Sequence, residues 1–204
     1  MKTVNFLKKY SIYTLLAVGI LFTGCSDDDD DAPEVENEVE VFTDVKLIFT
    51  DDAGGTVTAR AQDPDGTGIR ELEILDEITL DTAKTYTLTY EIKNNLLTSG
   101  SDIGAEILEE DHEHQIFFSF SEGAFAKPTG NGNIDNASDP INYEDIDDNG
   151  NPVGLRTTWT TPNTRLSGGS FRVNLQHQPG VKSATTGAND GDTDFDLTFV
   201  LNIQ

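Results

Sequence analysis

Apolar and polar residues alternate with a period of two along much of this chain. In DVKLIFT, residues 44–50, Val45, Leu47 and Phe49 fall on one face, and in GTVTARA, residues 55–61, Val57, Ala59 and Ala61 do the same. TYTLTYEI sets Tyr86, Leu88, Tyr90 and Ile92 against Thr85, Thr87, Thr89 and Glu91. DFDLTFVLNI aligns Phe195, Leu197, Phe199, Leu201 and Ile203 near the C-terminus. Side chains two apart share a face of an extended strand, so each segment predicts a strand with one buried face. The turn sequences DDAGG, DPDGTG, DDNGNP and NDGD punctuate them. Helical periodicity is weak and confined to residues 68–78 and 103–110, while residues 125–142 read as a long loop and the most flexible element. Without βα alternation or a glycine-rich phosphate loop, the prediction is all-β. We expect one antiparallel β-sandwich of seven to nine strands over residues 41–204, immunoglobulin-like or jelly-roll-like.

The first 24 residues follow another rule. Lys2, Lys8 and Lys9 precede an apolar run over residues 12–22, and then come Thr23, Gly24 and Cys25. A basic start, a short apolar run and small residues describe a secretory signal too short to span a bilayer comfortably. LFTGC resembles a lipobox, which implies that the chain's only cysteine, Cys25, is the lipid attachment site and that residues 1–24 are removed. No intramolecular disulfide is then possible. The acidic run that follows, residues 25–40, repels itself and predicts a solvated tether. Ser26-Asp27-Asp28 after such a cysteine resembles the signal by which Bacteroidota export lipoproteins to the outer face of the outer membrane.

Charge narrows the partners. The leader holds three of the 13 Lys and Arg residues and none of the 37 Asp and Glu residues, so 10 cations face 37 acids after its removal, a net of −27. Nucleic acid is excluded as a partner, since backbone contacts need a basic face. Cations and basic surfaces are favoured.

Two of the three histidines stand in EEDHEHQIFF, residues 109–118. If residues 110–120 are extended, Glu110, His112 and His114 share a face with Ile116, Phe118 and Phe120. In SFRVNLQHQP, residues 170–179, His177 extends the face of Phe171, Val173 and Leu175. Antiparallel strands would bring all three imidazoles to one end of the core. Neutral imidazole is a leading ligand for zinc and copper, so His112, His114, His177 and Glu110 form a candidate four-ligand set. The alternative is that they are rim histidines hydrogen-bonded to carboxylates.

DIDDNG, residues 145–150, matches the start of a calcium loop, with Asp145, Asp147 and Asn149 as oxygen donors, but Arg156 stands at the twelfth position where an acid is needed. The same residues also read as a hairpin with an Asn-Gly turn. Asp190, Asp192, Asp194 and Asp196 form a second acidic group, whose simpler reading is a solvated strand face. Trp159 shares a face with Val153, Leu155 and Thr157 and is expected in the core. There is no G-x-S-x-G, no cysteine left free by lipidation and no distinct acid–base pair, so no enzyme is expected.

CSDDDD, EEDHEHQIFF, DIDDNGNPVGL, LQHQPGVK and GDTDFDLTF together resemble a group of small acidic Bacteroidota lipoproteins labelled "type 1 periplasmic binding fold superfamily". That label implies an α/β architecture, against which the strand pattern stands. The group also resembles companions of TonB-dependent outer-membrane receptors, which implies capture of a nutrient or metal for import. The expectation is therefore a surface-anchored lipoprotein that binds a divalent transition metal, zinc or copper. A glycan- or protein-binding module with structural histidines is the alternative, and a sugar platform would turn Trp159 or Phe125 outward.

Overall fold

The computed structural model describes residues 40–63, 65–66, 71–96 and 99–204. The leader, Cys25 and nearly all of the predicted tether lie outside the described residues, as does part of the helix predicted over 68–78. Ten strands and one helix follow in chain order: β1 (Asp44–Asp51), β2 (Thr56–Gln62), β3 (Glu73–Ile74), β4 (Ile78–Leu80), β5 (Thr85–Asn94), β6 (Ser101–Asp102), α1 (Ile103–Glu109), β7 (His114–Phe120), β8 (Thr157–Thr160), β9 (Leu166–His177) and β10 (Asp192–Ile203).

The strands form two sheets, β3-β2-β1-β5-β6 with β8 also on β5, and β4-β10-β9-β7. The fold is the predicted all-β sandwich, with three departures. The described residues form ten strands against the seven to nine expected, because β3, β4 and β6 are too short to show an alternation of their own. β4 pairs with β10 in parallel, the one exception to the antiparallel expectation among the described strands. The second half of the 68–78 segment supplies β3 and the start of β4, not a helix. The other helix prediction holds as α1, whose N-cap Asp102 accepts a hydrogen bond from the Ala105 amide at 3.3 Å.

Alternation decides which side chains meet. Val45, Leu47 and Phe49 from the first sheet and Phe171, Val173 and Leu175 from the second are all fully buried. Phe49 meets Phe171 edge-on at 5.7 Å across the gap, and Trp159 meets the same ring at 4.9 Å. Burying aromatic and branched side chains at about 1.5–3 kcal/mol each is the main term holding the layers together. Trp159 is therefore a core residue, and Phe125 packs on it at 4.8 Å.

The loop expected to be most flexible is pinned. β7 has β9 on one side and would expose its amides on the other. There the Phe118 amide donates to Asn133 Oδ1 at 2.9 Å, and the Phe120 and Ile116 amides donate to the Asn131 and Val153 carbonyls at 2.8 and 2.7 Å. Covering an edge in this way removes a template for pairing with other chains. Gly132, at φ 100°, allows the approach, because a Cβ there would collide with the Phe118 carbonyl.

Candidate metal centre

β7 and β9 are antiparallel neighbours, and their register places His114 directly opposite His177. The rings stack with centroids 4.5 Å apart and planes 5° from parallel. Glu110 lies close enough that one ligand atom each from Glu110, His114 and His177 falls within 4.8 Å. Three of the four predicted ligands are thus brought together.

His112 is left outside. The extended run begins only at His114, because the chain leaves α1 through a turn in which the Glu113 amide donates to the Glu110 carbonyl at 2.9 Å. Alternation therefore stops short of residue 112. Its side chain is 55 % exposed and lies 3.4 Å from Glu113.

His114 is fully buried. Its Nδ1 lies 3.2 Å from the Glu110 carbonyl oxygen, which can only accept, so Nδ1 carries the proton and donates. That leaves Nε2 of the neutral ring with its lone pair facing inward. A hydrogen bond that fixes the tautomer in this way is how proteins orient a metal-binding imidazole. Nε2 faces two carboxylates, Asp194 Oδ2 at 3.7 Å and Glu40 Oε1 at 3.8 Å, neither within hydrogen-bonding distance. His114 Nε2, Glu40 Oε2 and Asp194 Oδ2 are all buried without a partner. Ligand atoms of these three residues also lie within 4.8 Å of one another.

From the sequence, Asp194 belongs only to the acidic group of residues 190–196 and Glu40 only to the tether, and neither is placed with the histidines. Strict alternation would put Asp194 on the outer face with Asp196. The β9–β10 register shifts between Thr193 and Phe195, however, leaving Asp194 unpaired in a bulge. Bulges re-aim side chains, and this one brings the carboxylate to His114. Gly191, at φ 88°, directly precedes β10 at a point where a Cβ would collide with the His177 carbonyl. Glu40 belongs by composition to the acidic run, yet its side chain is only 13 % exposed. The one available signal was the apolar pair Val41-Phe42 directly behind it; Phe42 packs on Phe195 at 5.5 Å.

The electrostatics follow from burial. Desolvation, with the nearby charges of Glu110 and Glu106, pushes the Glu40 carboxyl up to about 7. Desolvation, with Glu40 and Asp192, pushes Asp194 up to about 8. Desolvation and the neighbouring His177 lower His114 to about 4, so its ring is neutral at pH 7. Buried acids that cannot all ionise, beside a lone pair with no donor, make a site that gains from a cation.

Geometry separates the two groups that share His114. An imidazole binds an ion along a lone pair in the ring plane, and parallel stacked planes do not intersect at one ion. In the stacked arrangement His177 instead turns Nε2 toward Glu113 at 3.3 Å. Around a tetrahedral zinc with ligands near 2.1 Å, neighbouring donor atoms stand about 3.4 Å apart. The 3.7 and 3.8 Å separations in the Glu40–His114–Asp194 group need only a few tenths of an ångström of contraction.

At the predicted calcium loop, the Asp147 carboxylate accepts from the Asn149 and Asn151 amides at 2.9 and 2.8 Å. Lys182 Nζ, its side chain 1 % exposed, lies 3.3 Å from Asp147 Oδ2. An ammonium of the protein thus stands against the carboxylate that a calcium ion would need. Asp145 accepts from the Gly154 and Arg156 amides, both at 3.0 Å. Asn149 sits at the tip of a tight turn closed by the Asp147 amide to the Asn151 carbonyl at 2.9 Å, in keeping with the hairpin reading. Trp159 and Phe125, the aromatics a sugar platform would turn outward, are buried.

Comparison with protein families, with curated proteins and with solved structures finds no similarity that bears on this chain.

Proposed function

We propose that this protein is a surface-anchored lipoprotein that binds a divalent transition metal, zinc or copper, through His114 Nε2 and the carboxylates of Glu40 and Asp194. One observation carries the reading. Three side chains from distant parts of the chain, each with a buried polar atom that has no hydrogen-bond partner, bring ligand atoms within 4.8 Å of one another. Leaving each buried polar group unsatisfied costs about 1–3 kcal/mol, and a shared cation removes all three costs at once. The donor set, one neutral imidazole and two carboxylates, suits zinc and copper. Anchoring through Cys25, export to the cell surface and delivery of the metal to a TonB-dependent receptor rest on the leader, the acidic run and the family resemblance.

Calorimetric titration of the purified full chain with zinc tests the metal reading. Binding with one ion per chain at micromolar Kd or tighter, weakened at least a hundredfold in His114→Ala, is expected. Weak binding that His114→Ala leaves unchanged would assign the zinc to scattered surface acids and end the proposal.

A further inference from the structure

The Glu40–His114–Asp194 group raises a problem of access. His114 is fully buried, and the side chains of Glu40 and Asp194 are each only 13 % exposed. Taking a dication out of water before protein ligands replace that water is strongly unfavourable. An ion therefore has to be handed inward from ligand to ligand, and a row of such ligands stands beside the group.

The row begins at the surface, where the Glu113 carboxylate lies between two imidazoles. His112 Nε2 is 3.4 Å from Glu113 Oε1, and His177 Nε2 is 3.3 Å from Glu113 Oε2. Both separations match the spacing of neighbouring donors around a tetrahedral zinc, about 3.4 Å. The backbone holds two of the three residues together. The Gln178 amide donates to the Glu113 carbonyl at 2.6 Å, which carries the contact between β7 and β9 past the His114–His177 pair. His112, at 55 % exposure, is the free member and can turn onto an ion held by the other two.

Shared ligands join this outer group to the buried one. One ligand atom each from Glu110, His114 and His177 lies within 4.8 Å, so a middle group shares His177 with the outer one and His114 with the inner one. Exposure falls along the row, from 55 % at His112 and 29 % at Glu113 to 11 % at His177 and 0 % at His114. The stacked rings cannot share an ion at rest, because their planes do not meet at one point. Rotation of the His177 ring would let each in turn present a lone pair, which suits a point of transit and not a resting place.

We infer that His112, Glu113 and His177 form an outer capture site, from which the ion passes by ligand exchange through Glu110 and His177 to His114 and its carboxylates. The inference rests on the metal reading above and adds the route by which the buried site fills. It gives a task to all three histidines of the chain. The outer site is the weaker of the two, since water competes for an ion held at the surface.

Two measurements on the full chain test the route, with zinc alone as the probe. In rapid mixing, with free zinc read by a fluorescent indicator, His112→Ala and Glu113→Gln should each slow filling of the tight site at least tenfold. The final Kd should stay within threefold, because a residue on the route changes the rate and not the end point. In His114→Ala, zinc should still shift the imidazole proton resonances of His112 and His177 together, at a Kd at least a hundredfold weaker than that of the tight site. Adding Glu113→Gln to that variant should abolish the shift, and circular dichroism checks that each variant is folded. Filling at the wild-type rate in both single variants, or His112 and His177 signals that zinc leaves unmoved, overturns this inference and leaves the metal reading standing. A hundredfold loss of final affinity in His112→Ala would put the tight site at the surface and overturn both. Absence of tight binding in the wild-type chain would do the same.

Discussion

Replacing Asp194 with Asn should raise the melting temperature of the metal-free protein and, in the same variant, remove its response to zinc. Asp194 Oδ2 is buried without a donor, beside Glu40 Oε2 and His114 Nε2 in the same condition. Asn keeps the volume, drops the charge and offers an NH₂ donor to either neighbour. Relief of one or two unsatisfied groups is worth about 1–3 kcal/mol. For a domain of this size each kcal/mol moves the melting point by about 2–4 °C, so a rise of roughly 2–12 °C is expected. The pH dependence gives the sign. Burial beside Glu40 and Asp192 holds the Asp194 carboxyl at about 8 against an ordinary 3.8, so the folded protein keeps a proton that the unfolded chain releases. Wild-type stability should therefore fall as pH rises from about 4 to about 8 and level off above. The advantage of Asp194→Asn should be largest at pH 8 and vanish near pH 4. Zinc at a hundred times its Kd should stabilise the wild type by about 2.7 kcal/mol and leave the variant within about 1 °C of its metal-free value. Thermal melts by circular dichroism, with chelator and then with zinc, read both effects. A variant that melts lower than wild type without metal, or that gains as much from zinc, would refute the reasoning.

Zinc affinity should rise with pH up to about 8, because Glu40 and Asp194 must shed protons held to about 7 and about 8, whereas His114, at about 4, is already neutral. Calorimetry in buffers of different ionisation enthalpy counts the protons released, and a flat profile from pH 5.5 to 8 would contradict it. His177→Phe should keep the zinc Kd within about threefold, since toward His114 the ring offers stacking while its Nε2 turns to Glu113; a hundredfold loss would move the site to Glu110, His114 and His177. Asp147→Ala removes the carboxylate partner of the buried Lys182 ammonium, leaving it the Asp111 carbonyl, and should cost about 3–5 kcal/mol by chemical denaturation. Calcium, in turn, should not shift the wild-type melting curve. Cys25→Ala should release the protein from membranes into the soluble fraction, and continued membrane retention would refute lipid anchoring.

Alternation made the layers legible, since Val45, Leu47 and Phe49, or Phe171, Val173 and Leu175, need only a period of two to be assigned a face. It also placed His114 and His177 at one end of the core, because both continue such runs. It failed where the backbone left the regular ladder. His112 belongs to the turn after α1, and Asp194 sits in a bulge that no local pattern announces. Glu40 was hidden by composition, one acid among many, and only the packing of Phe42 on Phe195 shows why the chain is held there. The stacking of the two imidazoles was invisible for a different reason. Sequence gives the face of a side chain but not its rotation about χ, and that rotation aims the lone pair.

The three proposed ligands stand at residues 40, 114 and 194, so an ion held by them would close chain segments of 74 and 80 residues (114 − 40 and 194 − 114). A covalent cross-link over segments this long is worth roughly 4–5 kcal/mol through the unfolded state. The described residues contain no cysteine with which to make one. A bound metal would serve as the staple that this chain otherwise lacks. It could close only after β7, β9 and β10 were in register, so capture of the ion would mark the completion of folding and a chain still unfolded in transit would carry no cargo.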